Sequence, residues 1–340
     1  MATLSHNLRT AIDAIKPARA VRDFGVFAND YIWKDDRFYA SDGRMSASMP
    51  CPKTGPDCML PGDELEALIS RLGEDLTVTH NDEQSVTIRS GRMRGTLQTR
   101  SPDAISMLEP DGTLWTEPPP GLIQAMRLAR PFVADVAAQP YATCLCLREG
   151  AILATTNITL VECACPGLNA PMDKLLPSWA ADMVLRCGDG DTSPHGLLTG
   201  LILQENYCAF LWQSGLWVRS QLATGAFPAA VVALLAKVAP EQPLAIDRAW
   251  RQAYAAVAGI SKGIVSIEPE RIVGGRGRSQ VVHECAPLPL VVPLEGPVHF
   301  NPAFASAVAA CATHWDLSAY PAPVPFVGDG IKGLIVGRRA

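Results

Sequence analysis

Apolar residues fall at Leu4, Leu8, Ala11, Ile12 and Ile15, the spacing of one helical face, and Pro17 closes the run. The chain therefore opens with a short amphipathic helix. The period then shortens to two, which predicts strands at residues 25–33, 37–41 and 45–49, with Asp42-Gly43 as a turn. Pro61 introduces a second helix whose buried stripe is Leu65, Leu68, Ile69 and Leu72. Three more strands follow at 76–80, 85–89 and 93–98, punctuated by Asn81-Asp82 and Ser90-Gly91. Helix, strands, helix, strands is the unit.

The Pro-rich segment 117–121 reads as a linker, and beyond it the pattern restarts. Leu122, Ala125, Met126 and Ala129 make a helical stripe that stops near Pro131, and strands are expected at 142–148, 152–155 and 159–164. Leu176-Pro177 introduces a short helix through Leu185, followed by strands at 197–204, 207–213 and 216–221. The registers agree: Cys51-Pro52 and Cys165-Pro166 lie 114 apart, Pro61 and Pro177 116 apart, and Ser90 and Ser214 124 apart. A third copy is fainter. Asp247 caps a helix carrying Trp250, Ala253, Tyr254 and Val257, with strands expected at 263–267 and 281–284. Asn301, 240 residues after Pro61, caps a helix through Phe304, Val308 and Cys311, and 333–338 is a final strand. The expected fold class is α+β, with three tandem domains of two helices each at residues 1–116, 117–240 and 241–340.

The composition narrows the function. The 340 residues are 48% hydrophobic and 19% charged, an ordinary globular balance with room for two or three domains. No apolar run nears the ~18 residues of a membrane span, and the first 20 residues carry charges where a signal peptide needs apolar ones. A cytoplasmic protein without a membrane partner is expected. The net charge of −5 argues against a surface coated in cations but permits a local basic lining. Ten cysteines are diluted along the chain, and the Cys144/Cys146 and Cys163/Cys165 pairs lack metal-site spacing, so they read as buried thiols. Gly274 to Arg278 is glycine-rich but lacks the strand-loop-helix setting of a phosphate loop, and reads as a flexible loop. Trp33, Trp212, Trp217 and Trp250 read as core. No catalytic constellation, metal site or cofactor motif emerges, so no enzyme and no cofactor is expected.

Several short segments carry a resemblance. Gln221 to Pro228, QLATGAFP, resembles the Leu-x-x-Gly-x-Phe-Pro of the bacterial-type DNA sliding clamps, the β subunit-like processivity factors of DNA polymerase III. Ala154, Thr155 and Leu160 stand where that family has its Ala-Thr-Asp-Gly-His-Arg-Leu, and Ala40 to Arg44 keeps a version of the same turn. Phe300-Asn301 and the terminal strand also match in position. The resemblance implies domains whose two helices line a central hole with antiparallel sheets outside. It also implies a homodimer ring around double-stranded DNA. Such a ring needs no catalytic residue, because an encircled duplex cannot leave sideways.

If helices line the hole, their outer faces should carry cations for phosphate contact. The first helices offer Arg9 and Lys16, Arg127 and Arg130, and Arg248 and Arg251; the second helices offer Arg71 and Arg186. Solvated helix faces are the plain alternative. The family's polymerase and clamp loader insert a peptide motif into an apolar pocket. Carried over by position, that pocket would comprise Thr155, Leu160, Pro228, Ala233, Leu334, Val336 and Arg339, with Asn157, Ile158 and Thr159 at its rim. Ile158 and Thr159 replace the family's His and Arg, which fits a non-standard partner set such as that of a phage or mobile-element polymerase. Phe227 reads as core. The alternative to a processivity factor is a clamp-like adaptor or decoy that binds replication proteins without forming a ring; an unrelated enzyme is a third reading.

Overall fold

The computed structural model describes residues 4–19, 29–73, 75–82, 84–102, 107–236, 238–276, 279–285, 288, 294 and 296–338. The expected strand start at 25–28 and the Gly277-Arg278 part of the expected loop lie outside them. The first repeat runs α1 (Leu4–Ile15), β1 (Asp30–Lys34), β2 (Arg37–Ser41), β3 (Met45–Pro50), β4 (Cys58–Pro61), α2 (Gly62–Ile69), β5 (Thr77–Asp82), β6 (Ser85–Ser90) and β7 (Met93–Gln98). The second runs α3 (Leu122–Ala129), β8 (Cys144–Arg148), β9 (Ala151–Thr155), β10 (Thr159–Ala164), β11 (Lys174–Pro177), α4 (Ser178–Cys187), β12 (Leu198–Leu203), β13 (Tyr207–Trp212) and β14 (Trp217–Gln221). A short helix, α5 (Ala229–Leu235), and a two-residue strand, β15 (Leu244–Ala245), lead into the third. That repeat runs α6 (Arg248–Ile260), β16 (Val265–Glu268), β17 (Arg271–Arg276), β18 (Ser279–Glu284), β19 (Val298–Phe300), α7 (Pro302–Cys311), β20 (Ala312–Trp315), β21 (Val324–Gly328) and β22 (Ile331–Ile335).

The three repeats share one wiring. In each, the first four strands order themselves third-second-first-fourth: β3-β2-β1-β4, β10-β9-β8-β11 and β18-β17-β16-β19. The first helix lies on the second and third strands each time, α1 on β2 and β3, α3 on β9 and β10, α6 on β17 and β18. A backbone bond recurs after the third strand, where the N–H groups of Cys51, Cys165 and Cys285 donate at 2.8 Å to the carbonyls of Asp36, Gly150 and Glu270. Cys285 is thus the third copy of the Cys-Pro landmark, without its proline. The fourth strand is met by the chain end of the same repeat, through Met59 with Arg100, Leu175 with Ala223, and the Arg338 N–H on the His299 carbonyl. The second helix starts where the fourth strand stops. Pro61 and Pro177 end β4 and β11, and the Asn301 side chain caps α7 by accepting from the Ala303 N–H at 3.0 Å.

Each repeat ends in a three-strand meander, and two of the three meanders complete the sheet of the preceding repeat. β14 pairs antiparallel with β3, Val218 opposite Ala47, and β22 pairs with β10, Gly333 opposite Val161. A seven-stranded sheet, β12-β13-β14-β3-β2-β1-β4, and an eight-stranded sheet, β11-β8-β9-β10-β22-β21-β20-β15, result. The chain accordingly forms two compact units, Met1–Pro118 with Asp182–Leu222, and Pro119–Ala181 with Ala223–Ala340. In the first unit α1 buries Leu8, Ala11, Ile12 and Ile15 as its spacing requires. On the opposite face of that sheet Tyr39 meets Trp217 edge-on at 6.0 Å, under Met107 and Trp115 from the segment before the expected linker. In the second unit Phe132 stacks on Phe326 and Phe300 on Trp315, each at 6.0 Å.

Seven strands, β4, β11, β15, β17, β19, β20 and β21, and helix α5 were not expected from the pattern. Cys-Met-Leu-Pro and Lys-Leu-Leu-Pro are too short to show a period, and their pairing with β1 and β8 makes them strands. The glycine-rich segment is not a loop through Arg276. Gly274 and Gly275 lie within β17, and a Cβ on Gly274 would come within 2.0 Å of the Ser261 hydroxyl at the end of α6. Close approach of helix to strand, not flexibility, demands glycine there. Ser90 and Ser214 are not structural equivalents either. The hairpin after Ser90 turns in two residues, whereas Trp212 and Leu216 are joined by three. The four tryptophans are buried, as read.

The junction between β22 and β10 is tight at Gly333, where a Cβ would meet the Leu160 carbonyl at 2.4 Å and the Phe326 ring at 2.5 Å. Gly333→Ala is expected to lower the stability by about 1–3 kcal/mol through overpacking, read as a lower midpoint in urea unfolding.

Candidate nucleic-acid and partner-peptide sites

The segment from Thr155 to Thr159 is a turn built by its own hydroxyls. Thr155 Oγ1 donates to the Thr159 carbonyl at 2.6 Å and accepts from the Asn157 N–H at 3.0 Å, while Thr156 and Thr159 join hydroxyls at 2.8 Å. Asn157 takes the left-handed conformation, φ 67°, which asparagine tolerates better than most residues. Its side chain is held by the Tyr141 hydroxyl at 3.2 Å and by Gln139 at 3.3 Å. The turn pushes Ile158 outward, and its carbonyl accepts from the Val336 N–H at 2.8 Å. Two apolar side chains thereby reach the surface together, Ile158 at 40% and Val336 at 39% exposure.

Beneath them Leu160 on β10 stands opposite Leu334 on β22, and α5 packs over both strands. Leu160, Phe227, Leu175 and Leu235 form one core with Cys144 and Cys146, which share a face of β8. Burial raises both thiols, so they are held as neutral apolar groups. Val231, Val232 and Tyr141 pack on this core, Tyr141 edge-on to Phe227 at 5.8 Å, whereas Leu234 points outward at 48% exposure. The expected pocket residues are therefore sorted by depth. Thr155, Thr159 and Leu160 are buried; Pro228, which starts α5, and Leu334 are half-buried; Ala233, Asn157, Ile158 and Val336 are exposed. Arg339 lies outside the described residues. Phe227 is core, as read. Sequence reasoning missed α5 and with it Val231, Val232 and Leu234, although a proline ahead of an all-apolar heptad was the available signal.

The eight expected cations fall into three groups. Arg9 and Arg251 are structurally equivalent, and each caps the second helix of its repeat. Arg9 Nη2 donates to the carbonyls of Ile69 at 3.2 Å, Gly73 at 3.1 Å and, more closely, Leu72. Arg251 donates to Ala312 at 2.7 Å and Ala310 at 3.2 Å. A guanidinium suits the carbonyl end of a helix by both its donors and its charge. Lys16 and Arg130 form the second group, since Lys16-Pro17 and Arg130-Pro131 open the same single 3₁₀ turn. Lys16 pairs with Glu66 at 2.5 Å and Arg130 with Asp135 at 3.6 Å. Glu66 also receives the Tyr31 hydroxyl at 2.7 Å and Arg19 at 3.1 Å. Burial alone would raise the Glu66 carboxyl, but these donors and charges outweigh it and hold it below the ordinary value. Arg71, Arg127, Arg186 and Arg248 form the third group; all are exposed, and none is in an ion pair among the described residues. Arg127 donates to Gln124 at 3.2 Å on its own helix, and only this group is uncommitted to an ion pair or a helix cap.

The division is testable by stability. Arg251→Ala strips a charged cap from α7 and should cost about 1–3 kcal/mol, whereas Arg127→Ala should stay within about 0.5 kcal/mol, both read from urea unfolding.

No protein-family model and no curated protein matches the sequence. Solved structures do. The β sliding clamp of Caulobacter crescentus aligns over 99% of this chain and 98% of its own, with a TM-score of 0.80 at 18% identity. The DNA polymerase sliding clamp of Bacillus subtilis aligns over the same shares at 0.80 and 15% identity. The sliding clamp of Pseudomonas aeruginosa, DNA polymerase III subunit beta, solved with griselimycin bound, aligns at 0.79 and 14% identity, again over 99% and 98%. With one wiring repeated three times and this coverage end to end, the chain has the fold of the bacterial β sliding clamps.

Proposed function

We propose that this protein is a DNA sliding clamp. Two copies join head to tail into a ring around duplex DNA, and the ring tethers a replicative polymerase as its processivity factor. The observation that carries the reading is a pair of unfinished sheets. β7 closes no sheet of a preceding repeat, and β18 receives no following meander among the described residues. Exposed edges of this kind are templates for another strand. The two junctions inside the chain predict how a second copy would fill them. Gly95 holds the place of Val218 and Gly333, and Val281 the place of Ala47 and Val161. Continuing the recurrence sets Gly95 of one copy opposite Val281 of the other, with Arg94 opposite Val282. Domains at 1–116, 117–240 and 241–340 then give six equivalent units in the ring.

In this reading the uncommitted cations Arg71, Arg127, Arg186 and Arg248 face the duplex, and weak contacts suffice because enclosure prevents escape. The exposed apolar pair Ile158 and Val336, with Leu234 exposed on α5, receives the peptide motifs of the polymerase and of a clamp loader. The loss of the family's cationic rim at Ile158 and Thr159 favours partners of a phage or mobile-element type. No catalysis is required, and the work is done in the cytoplasm.

Protein loaded on a nicked circular duplex should stay bound and should be lost once that circle is cut to a linear form; equal loss from both rejects enclosure. The register has its own test. At the position equivalent to Arg94 and Val282, Lys332 pairs with Glu162 at 3.1 Å. Val282→Glu should therefore tighten the dimer by about 0.2–1 kcal/mol, and adding Arg94→Glu should reverse the gain, as measured by sedimentation equilibrium.

A further inference from the structure

Within the first unit, α1 and the end of α4 enclose a cleft. Thr10 and Asp13 stand on one wall, and Arg186, Cys187 and His195 on the other. Its volume of about 290 Å³ holds several waters at roughly 30 Å³ each, and so can hold one phosphate group in their place. The wall at His195 is rigidly made. The His195 N–H donates to Ser193 Oγ at 3.1 Å, its carbonyl accepts from the Ser214 N–H at 3.1 Å, and Ser193 Oγ donates to the Cys187 carbonyl at 2.6 Å. His195 is only 6% exposed, and its Nδ1 is buried with no hydrogen-bond partner.

A hidden lone pair is tolerated more readily than a hidden N–H, so the ring proton belongs on Nε2. Burial lowers the imidazole pKa and keeps the ring neutral near pH 7. Arg186 adds a charge with no ion pair among the described residues, and Thr10 a hydroxyl. The carbonyls at the end of α4 do not oppose an anion fully, because those of Cys187 and Gly188 already accept from Ser193 and from Trp212 Nε1, the latter at 2.8 Å. Asp13 does oppose it.

We propose that this cleft is a phosphodiester site, in which Arg186, the Nε2–H of His195 and the Thr10 hydroxyl hold one backbone phosphate of duplex DNA. The assignment rests on the clamp reading but names contacts, at Thr10 and His195, that the helix cations alone do not. Asp13 then sets the strength of the contact from across the cleft, as a like charge.

The test uses the full chain with ¹³C-labelled histidine, the His195 ring signal being identified as the one of six that His195→Gln removes. Titration with a short blunt duplex should move that signal. Arg186→Ala should weaken duplex binding and reduce the salt slope by about 0.9, the share of one phosphate. His195→Leu should weaken binding about tenfold, whereas His195→Gln, whose amide N–H can replace the donor, should retain most of it. Asp13→Asn should tighten binding, which a site for a cation or a zwitterion would not do. If the duplex binds with the His195 signal unmoved and Arg186→Ala leaves the salt slope intact, the cleft assignment is overturned while the clamp reading stands. If inorganic phosphate moves the signal and the duplex does not, the cleft takes a free phosphate and the DNA assignment is overturned.

Discussion

Backbone N–H and C=O groups at a strand edge must find partners, and that requirement organises this protein. A three-strand meander such as β12-β13-β14 or β20-β21-β22 has a raw edge on its last strand. Each meander that can reach one settles its edge on the third strand of the preceding repeat, at the same register. Repetition of sequence thereby becomes continuity of sheet. The compact units are consequently not the sequence repeats, because a sheet begun in one repeat is finished in the next. Among the described residues β7 and β18 each keep an edge that no other strand of this chain fills, and the proposed ring uses those edges.

The helices obey a parallel constraint. Carbonyls at the end of the second helix of a repeat need donors, and in the first and third repeats an arginine from the first helix supplies them. That arginine is cationic for the sake of the fold. The same residue type one turn away, or on the other helix, has no such duty. An acidic protein with few positive charges thus divides them between holding helices together and facing outward. Equal spacing in the sequence hides the division, since a capping arginine and an idle one look alike until the carbonyls are located.

The apolar surface beside β10 and β22 shows how a residue stays apolar without becoming core. A turn closed by threonine hydroxyls leaves no room for Ile158 inside, and the bond from Val336 brings a second apolar residue beside it. Burying either would require breaking that turn. Leu160, two residues on and inside β10, is buried and joins the core with Phe227. The turn, and not strand alternation, which would set residues two apart on one face, separates the residue that stabilises from the residue left at the surface.

By itself the chain determined a good deal. Helical spacing, helix-starting prolines and caps located α1, α2, α3, α4, α6 and α7, alternation located most strands, and the twofold recurrence of Cys-Pro and Leu-Pro, with Asn301 two periods after Pro61, disclosed a threefold plan. These signals are local, arising from a side chain's preference for one face or from a proline's missing N–H. Tertiary structure alone decided the rest. Four-residue strands such as β4 and β11 exist because a neighbour pairs with them, Gly274 is a strand residue because α6 crowds it, and Cys285 is recognisable as a third landmark only through its bond to Glu270. Which arginines are committed, and which residues beside β10 stay at the surface, depends on atoms tens of residues away. No spacing rule encodes such distances, because hydrogen bonding and steric approach act through space and not along the chain.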